Sequence, residues 1–146
     1  MTTTTTPTSD LSVHLSEAPS ASRMRDAFTA FSAGDLDIVR ASFAPDAVWI
    51  NGGSSPLAGE HRGWEAISAM FGTLMKITDG TFSMKVISIV GDDHNAIAVY
   101  DTTSTVKGVT QTQRVCLVDE LTPDGLVRSA RMLPYDAVAN DAHLNR

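Results

Sequence analysis

From residue 81 onward the apolar period of the chain changes from that of a helix to that of a strand, and it stays so to residue 134. Four strand-length runs, residues 81–90, 95–106, 110–121 and 126–134, are rich in Val, Ile, Thr and other residues that suit a pleated surface. They are joined by Gly91-Asp92-Asp93, Lys107-Gly108-Val109 and Pro123-Asp124-Gly125, all of them turn chemistry. No helix fits between such runs, so consecutive strands must pair antiparallel as a meander. The absence of helices between the late strands argues against a parallel βαβ arrangement.

Upstream the period is helical. Met24, Ala27, Phe28 and Phe31 fall at i, i+3, i+4 and i+7 and predict a helix from about residue 22, capped by Ser20 or Ser22 and stopped at Gly34. Asp35 caps a second, short helix that turns Leu36, Val39 and Phe43 inward and ends at Pro45. Residues 46–51 read as a strand with Val48 and Ile50 on one face and Trp49 and Asn51 on the other. A Gly-Gly-Ser-Ser-Pro loop follows, and a third helix over residues 64–77 carries Ile67, Met70, Phe71 and Leu74 on its apolar face. Three helices followed by a meander predict an α+β fold, with the helices packed on one side of a curved sheet. Residues 21–146 make one domain; residues 1–20 are a Thr/Ser-rich tail, too polar to offset chain entropy and read as disordered.

The remaining composition narrows the function. A formal net charge of −6, with scattered Lys and Arg, argues against a nucleic-acid surface. The single cysteine excludes an internal disulfide and a cysteine-based zinc site. His14, His61, His94 and His143 lie far apart, without the spacing of metal ligands, and no metal or other cofactor is expected. No apolar run is long enough to span a bilayer. The N-terminus lacks the basic start and apolar middle of a secretory signal, which points to a cytoplasmic protein.

One strand carries an unusual residue. In Ala96-Ile97-Ala98-Val99-Tyr100-Asp101-Thr102-Thr103, alternation places Ile97, Val99 and Asp101 on one face. If the two aliphatic residues mark the buried side, Asp101 needs a partner or a task, because an unpaired buried carboxylate is costly. Either it is solvated or paired with Arg114 or Arg131 near the strand end, or it stands at the bottom of an apolar pocket. In the pocket reading, Trp49, Asn51, Val99 and Asp101 share a cavity with Phe28 or Phe31 and with Met70 or Phe71.

Three stretches carry a family resemblance: Phe43-Ala44-Pro45-Asp46-Ala47-Val48-Trp49, the run from Pro56 through Gly63-Trp64 to Ile67, and the ending Pro134-Tyr135-Asp136. In them the chain resembles the nuclear transport factor 2-like superfamily. It is most similar to the SnoaL-like group of polyketide cyclases, ketosteroid isomerase relatives and limonene-epoxide hydrolases. The resemblance implies a cone, a strongly bent and mainly antiparallel sheet wrapped round a helix-lined apolar cavity, and a homodimer.

Carried over residue by residue, the resemblance places Trp49 and Asn51 where the epoxide-hydrolase branch holds its nucleophilic water, with Trp in place of Tyr. Asp101 matches the aspartate of that branch's Arg-x-Asp, although Val99 stands where the arginine would be. Arg131 matches an arginine on the last strand, but Met132 or Leu133 replaces the second acid, so epoxide opening by that route lacks its proton donor. Cys116 occupies the place of a histidine found in many relatives.

The expected function is therefore cofactor-independent acid/base catalysis of cyclisation, isomerisation or rearrangement on a small hydrophobic, oxygen-bearing molecule, in secondary metabolism or catabolism. Asp101 would be the acid/base, and Asn51 would hold an oxyanion or a water. Trp49, Val99, Arg131, Phe28, Phe31, Met70, Phe71 and Cys116 would surround the substrate. The alternatives are a non-catalytic binding or dimerisation module and, further off, an epoxide hydrolase.

Overall fold

Pro19 starts the first helix, where a fixed φ and a missing N–H cost nothing. The computed structural model describes residues 17–146. Most of the segment read as a disordered tail lies outside the described residues, but Pro19 and Ser20 are already helical, so the tail boundary at residue 20 falls too late. Helix α1 spans Pro19–Ser32 and buries Met24 and Phe28, as the helical period requires. Gly34, at φ +76°, leaves the helix through the left-handed region, and the Asp35 carboxylate caps α2, Leu36–Ala41.

Strand β1 spans Phe43–Asn51, β2 spans Gly59–Arg62, and α3 spans Gly63–Ile77. The meander follows as β3 (Ser83–Gly91), β4 (Asn95–Val106), β5 (Val109–Leu121) and β6 (Val127–Pro134). A fourth helix, α4, covers Ala137–Leu144 and was not expected. Its signal was the aspartate after the last strand: Asp136 accepts a hydrogen bond from the Ala139 N–H at 2.9 Å and caps the helix.

All six strands form one sheet in the order β2-β1-β6-β5-β4-β3. Every neighbouring pair is antiparallel except β1 and β6, which run parallel with Trp49 opposite Ala130 and Asn51 opposite Met132. The register slips at Val86/Ser88 in β3 and at Glu120/Leu121 in β5, bulges that increase the local bend and twist. Helices α1 and α3 lie against the concave side of the curved sheet. Two apolar clusters result. One joins Met24 and Phe28 to Tyr100, Val115 and Leu117; the other joins Ile67, Met70 and Phe71 to Val39, Ala47 and Leu57. The expected α+β cone of helices on a curved, mainly antiparallel sheet is the fold observed. No helix among the described residues is long and apolar enough to cross a membrane.

Candidate active-site cavity

The two clusters do not meet completely, and between them lies a cavity of about 370 Å³. That is within the range of small-molecule sites. Its floor is set by the β4–β5 ladder, in which Ala96 faces Asp119, Ala98 faces Leu117, Tyr100 faces Val115, Thr102 faces Gln113 and Ser104 faces Gln111. Paired residues share a sheet face, so these are the side chains that point inward. Phe28, Phe31, Met70, Phe71, Trp49 and Asn51 complete the wall. The aromatic rings meet edge to face, with Phe31 5.0 Å and Trp49 5.2 Å from Phe71.

Asp101 is not in this cavity. It lies on the other face of the sheet, where Arg114 Nε and Nη2 donate to its two carboxylate oxygens at 2.9 and 3.1 Å. Those hydrogen bonds hold its carboxyl below the usual carboxylate range, the reverse of the raised value a pocket acid would have. Val99, Cys116 and Arg131 are absent from the cavity wall for the same reason. Val99 pairs with Cys116, Cys116 with Leu133 and Val118 with Arg131, all on the convex face. One reversal of strand parity accounts for all four displaced residues. Burial pushes the Cys116 thiol up, so it is no thiolate nucleophile.

Asn51 does reach the wall, but much of its amide is engaged. Trp49 Nε1–H donates to its Oδ1 at 2.8 Å, and its Nδ2 donates to the Leu57 carbonyl at 2.9 Å. His61 Nε2 lies 2.8 Å from the same carbonyl. The Trp49/Asn51 pair thus ties β1 to the loop before β2.

The buried acid of the cavity wall is Asp119. It is 6% exposed, and its register neighbours on either side are Ala96 and Ala130, neither of which can bond it. Its Oδ1 is buried with no hydrogen-bond partner. Desolvation raises its carboxyl from 3.8 to about 7. Tyr100 lies on the same inner face, opposite Val115 and 4.9 Å edge to face from Phe28. Burial first, and then the charge of Asp119, push the phenol well above its ordinary value, so it remains a hydrogen-bond donor.

The opposite end of the cavity is polar and uncharged. His143 on α4 is 3% exposed, with Nε2 3.0 Å from Ser104 Oγ. Arg146 Nε donates to Nδ1 at 3.2 Å, so the neutral ring carries its proton on Nε2 and donates it to Ser104. Desolvation, then the Arg146 charge, lower the pKa of this histidine. Gln113 Oε1 nearby is buried without a partner. Helix α4 is held over this end by Asp141, which accepts from the Ser54 N–H at 3.0 Å, and by Asn145 Nδ2 donating to the Ser54 carbonyl at 3.2 Å. Asp119, Tyr100, Gln113 and His143 were not singled out from sequence. A signal existed for Asp119, the one acid in the alternating set Val115, Leu117, Asp119, Leu121.

Comparison with known proteins fits this geometry. Residues 24–130 match the SnoaL-like domain. The Mycobacterium tuberculosis protein Rv0034 is 31% identical over 96 residues, which cover 65% of this chain and 73% of that protein. The structure of Bal32a, from a soil-derived mobile gene cassette, superposes with a TM-score of 0.81 at 32% identity, covering 86% of this chain and 95% of that one. RV0760c of Mycobacterium tuberculosis, solved in complex with estradiol-17β-hemisuccinate, shares the fold with a TM-score of 0.69 at 18% identity, covering 84% of this chain and 97% of that one. With the family pattern running through α1, α3 and most of the sheet that bounds the cavity, the chain belongs to the SnoaL-like domain family.

Proposed function

We propose that the chain is a cofactor-independent acid/base catalyst that isomerises or cyclises a small hydrophobic, oxygen-bearing molecule in its cavity, with Asp119 moving the proton. The observation that carries this reading is the unpartnered, buried carboxyl of Asp119 in an apolar wall. A group near pH 7 exists in both protonation states at neutral pH, which suits a residue that takes a proton and returns it. As carboxylate, Asp119 removes a proton from a carbon next to a carbonyl. The C–H electron pair becomes the carbon–carbon double bond, the carbonyl π pair moves to oxygen, and the Tyr100 hydroxyl donates to the enolate so formed. The acid so formed exchanges its proton with solvent or keeps it, and returns one proton to carbon, so no atom is gained or lost and no oxidant is needed.

The test is deuterium exchange from D2O into 2-tetralone, an apolar ketone with an acidic α C–H. Exchange above the buffer rate is expected, and Asp119→Asn should lower the protein-dependent rate on the order of 10²–10⁴-fold. An unchanged rate in Asp119→Asn would remove the acid from the mechanism. A second reading, a binding module without chemistry, draws support from the engaged amide of Asn51 and from the ligand held by RV0760c. Tight binding of 2-tetralone with no exchange would favour it.

Self-association belongs to the same proposal. The convex face presents Ile97, Val99 and Val118 as a half-buried apolar strip, flanked by Val90 and Leu133, which are 59% and 45% exposed. A second copy of the chain, apolar on the same face, would cover it. Sedimentation equilibrium should give twice the monomer mass, and Val99→Glu should return the monomer.

A further inference from the structure

Three buried side-chain atoms among the described residues lack a hydrogen-bond partner, Ser20 Oγ, Gln113 Oε1 and Asp119 Oδ1, and all three residues line the one cavity. Buried polar atoms are seldom left unpaired, so these three take their partners from whatever fills the cavity, a water or a polar group of a ligand. Asp119 and Gln113 lie on the same face of β5, separated by inward-facing Leu117 and Val115. Six residues of strand span about 20 Å when extended, and less across a bent sheet. The cavity therefore has two polar poles, separated by a waist of Leu117, Val115 and the ring of Tyr100.

The far pole has a particular chemistry. Gln113 offers an acceptor oxygen without a donor. Ser104 accepts from His143 Nε2–H, which leaves the serine hydroxyl hydrogen free to donate. Ser104 and Gln113 are diagonal neighbours across the β4–β5 ladder, close enough for one small group to touch both. The lining residues that carry charge at neutral pH or near it, Arg23, Asp26 and Asp119, come from the first eight residues of α1 and the other end of β5. A group that both donates and accepts, and is neutral, fits this pole. That group is a hydroxyl.

We infer that the ligand is an elongated, ring-bearing apolar molecule with a carbonyl at the Asp119 pole and an alcohol or phenol hydroxyl at the Gln113 pole, and that Gln113 and Ser104 select for that hydroxyl. The carbonyl half rests on the proposed function of Asp119; the hydroxyl half does not. The edge-to-face aromatic wall of Phe31, Phe71 and Trp49 favours rings for the body.

The test compares 6-hydroxy-2-tetralone with 6-methoxy-2-tetralone, which differ only in capping the hydroxyl. Binding to the full chain is followed by calorimetry. The hydroxyl compound should bind at least tenfold more tightly, and Gln113→Met, which keeps length but loses the amide, should reduce the preference to within twofold. Ser104→Ala, a smaller change, should weaken it in the same direction and serves if Gln113→Met does not fold. Equal binding of the two ketones to the unmodified protein would overturn the inference, as would a preference that survives both substitutions. Deuterium exchange separates the two proposals. Exchange without the hydroxyl preference defeats this inference alone, and the preference without exchange defeats the catalytic reading alone. Failure of either ketone to bind counts against both.

Discussion

Asp101 and Asp119 stand on opposite faces of one ladder, Asp101 outward and clamped by Arg114, Asp119 inward and bonded to nothing on its Oδ1. The same side chain thus has two fates within two adjacent strands. Pairing lowers one carboxyl, and desolvation raises the other. Folding stability should report the second. The folded chain holds the Asp119 proton up to about pH 7, while its ordinary value is 3.8. Between those values the folded state binds more protons than the unfolded one, so this group's stabilisation, full at low pH, is lost as pH rises through the window. The ceiling is on the order of 4 kcal/mol. Asp119→Asn has no ionisation to suppress. Urea unfolding at pH 4.5 and pH 8 should show the variant gaining on the parent by a few kcal/mol at the higher pH.

Asp101→Asn should leave the cavity untouched. The pair it removes is on the convex surface, partly solvated and screened. Binding of 2-tetralone and its deuterium exchange should both stay within twofold of the parent. A large loss would mean that the outer face communicates with the cavity.

His143 reverses the sign. Its lowered pKa means that the folded state binds protons less readily than the unfolded chain. Stability is therefore lost as pH falls below the ordinary histidine value of about 6.5. A protonated Nδ1 cannot accept from Arg146. Amide protection factors in α4 should fall between pH 7.5 and pH 5, while those in β4 and β5 change less.

Gly53→Ala should loosen the same helix by another route. Gly53 sits at φ +83°, and an added Cβ would come 2.5 Å from Asp141 Oδ2, the oxygen that accepts from the Ser54 N–H. Left-handed backbone and a displaced carboxylate together should cost about 1–3 kcal/mol. A lowered urea midpoint with unchanged far-UV spectrum would show it.

Epoxide opening by water should be weak. It needs a base for the water and a proton for the departing alkoxide, each contributing on the order of 10²–10⁴-fold. Met132, which lines the cavity, is where a second acid would have to stand; Leu133 points outward. A panel of terpene epoxides should be hydrolysed slowly at best, and Met132→Asp should improve on the parent where Leu133→Asp does not.

The first three helices and the three hairpins were legible because their signals are local: a stripe, a cap, a turn. Strand β2 and the parallel β1–β6 pair were not: residues 59–62 are too few and too polar to show a strand period, and nothing near residues 43–51 announces a partner some eighty residues on. The facing of β4 was misread for a physical reason. A strand that borders a void carries mostly small side chains on that face, here Ala96, Thr102 and Ser104 beside the one large Tyr100, while Ile97 and Val99 ride on the convex face. Apolar bulk marks the inside of a sheet only when the inside is full. Trp49, Phe28, Phe31, Met70 and Phe71 were placed at the cavity because they belong to helical stripes and to a strand end that no parity error touched.

The parallel pairing of β1 with β6 has a kinetic consequence. Strands β3, β4 and β5 can zip by successive hairpins, but Trp49 and Asn51 find their register only when Ala130 and Met132 arrive. Closing so long a loop is slow compared with hairpin formation, so the meander should form first and the aromatic wall last. During synthesis the half-built sheet waits, its concave face uncovered on one side, until the final strand has left the ribosome. The ligand has nothing to enter before then, and a nascent chain ending short of residue 134 should be blind to it.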